Sequence, residues 1–346
     1  MNRLSLRAFL LVLILACCQS VPEPAHSATA NVSCTTTIGN VNFGAVAPTT
    51  TATVQVNGSI QFTCTNVSLL AAQNVTLCLG LGQGSGTSIT PTRQMSGPAS
   101  AVLAFQVYQN GSYTQVWGNV PSTSNPPPMV LQFTIPISVL GIPSTYTSPT
   151  YPVYGSLTTP QASAVSGSYS NTLNGSLTYQ ANNAPLLGTN YPANCDGGTS
   201  DAFSLSVQAS VANQCTVTAG STLVLGNAGG VAAGTANNTG STTFSVTCTS
   251  GTTYNVGLAP VSTGSTTGAG LMAGTGGNTS KVPYQLNQTS ATGPIWGNTA
   301  TSSSKGNGVA GSGSGVAQTL TVYATASSSD YRPDTYTDTV TINVNY

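Results

Sequence analysis

Cysteine is the residue type here that has chemistry to do. Eight occur in 346 residues, and two of them, Cys17 and Cys18, sit in an apolar N-terminal leader. The other six are Cys34, Cys64, Cys78, Cys195, Cys215 and Cys248, an even number that in an exported chain points to disulfides. Cys34 and Cys64 stand almost as far apart as Cys215 and Cys248, so these are the expected pairs. Each bond would tie adjacent early strands and add about 3–4 kcal/mol by closing a loop. Cys78 and Cys195 are left for each other, as a staple of the first half alone. No CxxC spacing occurs and the other zinc ligands are missing, which argues against a metal site.

Acid–base chemistry has little to work with. Past the leader, which carries Glu23 and His26, the chain holds neither glutamate nor histidine. Its carboxylate side chains are then Asp196, Asp201, Asp330, Asp334 and Asp338, in turns or at strand starts, where aspartate serves turn geometry. Serine and threonine abound without a base to activate them. The chain is therefore not expected to be an enzyme, and no catalytic, cofactor-binding or metal-binding residue is assigned.

The elements that place the cysteines are strands. Helix formers such as Glu and Lys are scarce while Thr, Val and Tyr are plentiful, which favours an all-β fold. The clearest strand is the last: in Tyr331–Tyr346, Val340, Ile342, Val344 and Tyr346 share one parity and Thr339, Thr341, Asn343 and Asn345 the other. Tyr169–Tyr179 is an earlier copy, with Tyr169, Asn171, Leu173, Leu177 and Tyr179 answering Tyr336, Asp338, Val340, Val344 and Tyr346. Leu103–Tyr108 leads to Trp117-Gly118-Asn119 as Val282–Leu286 leads to Trp296-Gly297-Asn298. Two versions of one β-domain are expected, residues 31–200 and 201–346, with many short strands between Gly, Pro, Asn and Ser turns.

The leader has Arg3 and Arg7 before an apolar run from Ala8 to Cys18, then small residues to Ala30. This is the pattern of a secretory signal over residues 1–30, too short for a membrane span. Cleavage fits after Ser27 or Ala30; a lipid-bearing Cys17 ranks behind both. Charged residues make up 3% of the chain and no basic patch exists, so nucleic acid is not an expected partner. So little charge suggests a protein held by a chaperone or locked into an assembly.

The halves differ at one strand. Phe203, Leu205, Val207, Ala209 and Val211 alternate strictly just before Cys215, and nothing comparable precedes Cys34, where the leader stands. The chain so far resembles the spore coat protein U domain family, which includes subunits of Csu-type archaic chaperone–usher pili. The resemblance rests on the early cysteine pairs, Phe43-Gly44 and Leu225-Gly226, Arg93-Gln94-Met95, the two Trp-Gly-Asn turns and the final Tyr336-Thr337-Asp338-Thr339-Val340 strand. Two departures stand out: Leu271-Met272 has no arginine like that before Met95, and Tyr169-Ser170-Asn171 replaces Tyr-Thr-Asp.

That resemblance implies two immunoglobulin-like, pilin-type sandwiches in tandem, the C-terminal one incomplete and completed by a donor strand. The acceptor groove would run along Val340, Ile342, Val344 and Tyr346. The implied partners are a periplasmic pilus chaperone, an outer-membrane usher, an adjacent pilin subunit that donates a strand, and an abiotic or host surface. The chain would pass through the periplasm to the cell surface. With few residues before Cys34, it is expected to accept a strand without donating one outward, as a pilus tip adhesin does. Phe203–Val211 would either complete the first domain in cis or simply open the second. Tip domains of this kind bind through exposed apolar loops, here those of Leu140 and Ile142 and of Leu186 and Leu187, with Pro126–Met129 as a third and Leu69–Ala72 in reserve. The rival expectations are a secreted coat or matrix protein and a shaft pilin.

Overall fold

A computed structural model describes residues 31–86, 88–226 and 230–346; the expected leader lies outside them. The first half contributes eleven strands: β1 (Val32–Gly39), β2 (Val41–Val46), β3 (Thr53–Asn66), β4 (Gln73–Leu81), β5 (Arg93–Ser96), β6 (Val102–Tyr108), β7 (Met129–Ile135), β8 (Ser144–Thr147), β9 (Tyr151–Thr158), β10 (Gly167–Asn183) and β11 (Thr199–Val211). The second contributes β12 (Cys215–Thr218), β13 (Ala236–Cys248), β14 (Thr253–Pro260), β15 (Ala269–Gly274), β16 (Lys281–Asn287), β17 (Val309–Ser312), β18 (Gln318–Ser328), β19 (Tyr336–Thr337) and β20 (Val340–Asn345). Among the described residues no α-helix occurs, so the chain is all-β as its composition suggests.

Each half is a sandwich. In the second, β12-β13-β18-β16-β15-β19 form one sheet and β17-β14-β20 the other. The first follows the same plan, with β1-β3-β9-β6-β5 running into β10, and β7-β4-β10 opposite. Here the second sheet continues beyond β10 through β11 to β2. Inward residues of both sheets interdigitate, as the alternation requires. Trp117 and Trp296 fill equivalent core places, donating indole N–H bonds to the carbonyls of Leu79 (2.7 Å) and Val256 (2.9 Å).

All three expected disulfides are formed. Cys34–Cys64 and Cys215–Cys248 each join directly opposed residues, on β1/β3 and β12/β13, with Cα atoms 4.0 and 4.1 Å apart. Cys78–Cys195 instead anchors a long arm, residues 184–198, to the back of β4. Along that arm Thr76 donates to the Pro192 carbonyl (2.6 Å) and Asn74 to that of Asn190 (3.3 Å). The arm covers the outer face of β4, so all nine β4 residues are buried. Alternation on β4 is accordingly absent.

The sequence leaves open which domain β11 serves, and the structure answers it. β11 pairs antiparallel with β10 over thirteen residues and parallel with β2 on its other side. Leu205, Val207, Ala209 and Val211 are buried in the core of the first sandwich. The strand straddles the boundary expected at residue 200.

Candidate functional site: an apolar pole and an open edge

Register brings several loops to one end of the first sandwich. Asn66 at the end of β3 faces Ser144 of β8, and Gln73 at the start of β4 faces both Ile135 of β7 and Asn183 of β10. The loops 67–72, 136–143 and 184–187 therefore leave the sheets side by side. Buried Asn66 donates to the carbonyls of Ala71 (3.1 Å) and Pro136 (2.8 Å), and the Ser138 amide donates to the Ser68 carbonyl (2.9 Å). The Ala184 amide donates to Ala72 (2.8 Å), tying in the third loop.

What this scaffold holds up is apolar. Leu70, Leu140, Leu186 and Leu187 are 96%, 93%, 104% and 92% exposed, and Ile142 is 70% exposed. Val67, Leu69, Ile137 and Val139 are exposed around them. Isolated exposed leucines are ordinary, but a cluster on one pole is a mark of an interaction surface. Around it the first sandwich offers little charge: from residue 31 to 211 its charged side chains are Arg93, Asp196 and Asp201.

Leu140 carries a conformational cost. The 136–143 loop turns at Val139–Ile142, whose backbones bond each other at 3.1 and 2.9 Å. Both central residues have positive φ, Leu140 at 51° and Gly141 at 79°. Asn or Gly suits the first of these positions, and a γ-branched apolar residue does not. Backbone strain spent on exposing a leucine is a pointer to use.

Leu186 and Leu187 owe their place to the arm. Between the Ala184 bond and Cys195, the arm is held by the contacts to β4 and by the disulfide. Beyond Cys195, Asp196 accepts bonds from the Ser122 amide (2.8 Å) and hydroxyl (2.7 Å). Pro126–Met129 does not join the pole. Met129 faces Leu79, six residues along β4 from Gln73, Pro128 is buried, Pro126 packs beneath Gly118, and the Pro127 carbonyl accepts the Gly118 amide (2.9 Å). In Leu131–Ile137, Phe133 and Ile135 are buried, in keeping with strand alternation.

The second feature is an edge. β20 pairs with β14 on one side, and among the described residues no strand flanks its other side. Val340, Ile342 and Val344 are half-buried and Tyr346 is 49% exposed, whereas Leu173, Leu177 and Tyr179 are 0–3% exposed beneath β11. The counterpart of β2, around Leu223 and Leu225, is not in a sheet, and both leucines are half-buried.

Equivalent ties hold the strand start in both halves. Asn171 Oδ1 accepts from the Ser85 amide and hydroxyl (both 3.0 Å), and Asp338 accepts from the Ser262 amide (3.3 Å) and hydroxyl (2.5 Å). The arginine that the second half lacks is also explained. Arg93 faces Phe105, and at the matching register Gly270 faces Tyr284. Arg93 is fully buried, donating to the carbonyls of Gly82 (2.9 Å), Leu81 (2.8 Å) and Trp117 (2.5 Å) and to Gln106 (2.5 Å). Burial lowers its pKa to about 10, so it stays charged at neutral pH, with carbonyl dipoles as partners. A Cβ on Gly270 would strike the Tyr284 ring, which takes that space and donates its hydroxyl to Asp338 (2.8 Å).

No group of His, Cys, Asp or Glu among the described residues is placed to hold a metal ion. The two halves are tandem sandwiches built on one plan. The chain belongs to the Spore Coat Protein U domain family, whose model matches residues 23–176 and again 201–343. Among solved structures it is similar to the CsuC–CsuE chaperone–tip adhesion subunit complex of the Csu pili of Acinetobacter baumannii, at 16% identity, 91% of this chain, 100% of that one and a TM-score of 0.45. It is also similar to the CupB6 tip adhesin of Pseudomonas aeruginosa (10% identity, 91% and 93% covered, TM-score 0.40). A third likeness is to CfaE, the adhesive subunit of CFA/I fimbria of enterotoxigenic Escherichia coli (9% identity, 89% and 92% covered, TM-score 0.33). No curated protein matches the chain.

Proposed function

We propose that this chain is the tip adhesin of a Csu-like chaperone–usher pilus, mediating surface attachment and biofilm formation. The observation that carries this is the apolar pole: Leu70, Leu140, Leu186 and Leu187 stand almost fully exposed at one end of the first sandwich. At the opposite end β11 finishes at Val211, beside Gly167, and leads into the second sandwich. The molecule thus has a contact end and an attachment end. The second sandwich keeps an open edge on β20, suited to a strand from the adjacent pilin, with a periplasmic chaperone filling it first and an outer-membrane usher directing the exchange. Export through the leader and oxidation in the periplasm suit the three disulfides. The surface bound, abiotic or host, is apolar in character, because the pole lacks the charge to select an ionic one.

Electron microscopy with an antibody to the first sandwich tests this. Label at fibre ends is the expected result. Label along the fibre would make the chain a shaft pilin, and label on cells or matrix without fibres would make it a coat protein.

A further inference from the structure

The occupied groove of the first sandwich gives the shape of the strand that the second is missing. β11 lays Phe203, Leu205, Val207 and Ala209 opposite Gly175, Leu173, Asn171 and Tyr169. Phe203 folds its ring across Gly175, and a Cβ there would lie 2.1 Å from it. Glycine is what makes this seat for an aromatic side chain.

The same place in the second sandwich is found by register. Leu177 faces Leu79, whose carbonyl accepts the Trp117 indole; Val344 faces Val256, whose carbonyl accepts the Trp296 indole. Two residues back, Gly175 faces Leu81 and Ile342 faces Leu258. Ile342 therefore stands where Gly175 does, half-buried and packed against the second core. A β-branched side chain has one strongly preferred rotamer and yields little space.

The geometry points to a steric key: the groove beside β20 takes a donor strand with a small residue opposite Ile342 and rejects β11 from a second copy of this chain. The proposal rests on the donor-strand reading and specifies its occupant. At the other positions the requirement is unchanged or relaxed. Val340 in place of Leu173 leaves room for a large apolar residue, and Tyr336, which like Tyr169 donates its hydroxyl to the carbonyl four residues back, again calls for a small one like Ala209. The donor is an antiparallel strand of alternating apolar residues, small opposite Ile342 and small again opposite Tyr336. Such a key matters before folding is complete, when β11 of a neighbouring copy is not yet sealed in its own sandwich and accepting it would join chains head to tail without a pilus. Specificity through a clash against the wrong partner is a general device.

The test uses the full chain without its leader and two fluorescein-labelled peptides, the natural Thr199–Val211 sequence and the same peptide with F203A. Binding is read by anisotropy. The F203A peptide is expected to bind at least tenfold more tightly than the natural one, and the gap should close in I342A and I342G chains. Equal binding of both peptides to the natural chain would overturn the key while leaving the donor-strand reading intact. Failure of both peptides, while a peptide from the N-terminal strand of a neighbouring pilin binds and prefers no residue size opposite Ile342, would also overturn it. If no strand peptide binds at all, the donor-strand reading falls and takes the key with it.

Discussion

Leu173 and Val340 hold the same place in two copies of one fold, yet the first is sealed and the second stands half-open. The residues are similar in hydrophobicity and each strand is paired on its inner side, to β4 or β14. What differs is β11. Burying Leu205, Val207 and Val211 is worth about 1.5–3 kcal/mol each, and β11 also satisfies the outer backbone groups of β10. With β11 in place, β2 becomes a sheet strand and its Phe43 is buried; without an equivalent, Leu223 and Leu225 stay outside any sheet. One strand therefore decides whether the same sequence pattern makes a closed sandwich or one with an open edge.

The hardest blow to this comparison is Leu205→Asp. A charge in a sealed core should cost more than 4 kcal/mol and abolish the near-UV circular dichroism of the first sandwich. If those signals survive, β11 does not complete the domain. Opening the Cys78–Cys195 bond, as in the double C78S/C195S variant, removes a loop constraint worth up to about 5 kcal/mol. The second sandwich has no such staple, so its melting should be untouched, while the arm that carries Leu186 and Leu187 loosens and attachment to hydrophobic beads falls.

A paired truncation sharpens the point. Leu173→Ala should cost about 2–5 kcal/mol and Val340→Ala about 1 kcal/mol, because only the first is sealed. Denaturant melts of both variants would show it, and equal costs would deny that the second groove is open. Leu140→Asn relieves a positive-φ leucine and should stabilise the first sandwich by about 0.5–1 kcal/mol while weakening attachment. A gain in stability with unchanged attachment would show that the strain serves no contact.

The smallest effect concerns alkali. Burial and the hydrogen bond to Asp338 push the Tyr284 hydroxyl well above its ordinary 10.0, and its counterpart Phe105 has no hydroxyl. A pKa raised on folding gives stability that is complete below pH 10 and lost as pH climbs above it. Tyr284→Phe should therefore flatten the fall in stability of the second sandwich above pH 10, read by its thermal melt.

Much of the fold was legible because its signals are local. Strict alternation marked β11 and β20, and matched separations paired the cysteines at opposed positions on adjacent strands. The site was less so, because a pole is assembled by register. Nothing in sequence spacing says that Asn66, Ile135 and Asn183 end their strands together, which is why Leu69–Ala72 stood behind Pro126–Met129 as a loop. Leu140-Gly141 gave no warning, since glycine second and leucine first suggest a turn with positive φ at the glycine alone, whereas both residues have it. Arg93 gave none: a lone cation offers no hint that three carbonyls and Gln106 will close over it.

β11 runs the length of the first sandwich, from Thr199 near the apolar pole to Val211 at the far end, and after three residues the chain enters β12 of the second. In the tip-adhesin role proposed above, a pull between an attached first sandwich and the second would load this strand along its own axis. The bonds to β10 and β2 lie across that axis, so they would have to fail together and not one after another. A tether built this way resists a pull far better than a peel, and a force spectrometer would register the difference as a higher rupture force along the strand than across it.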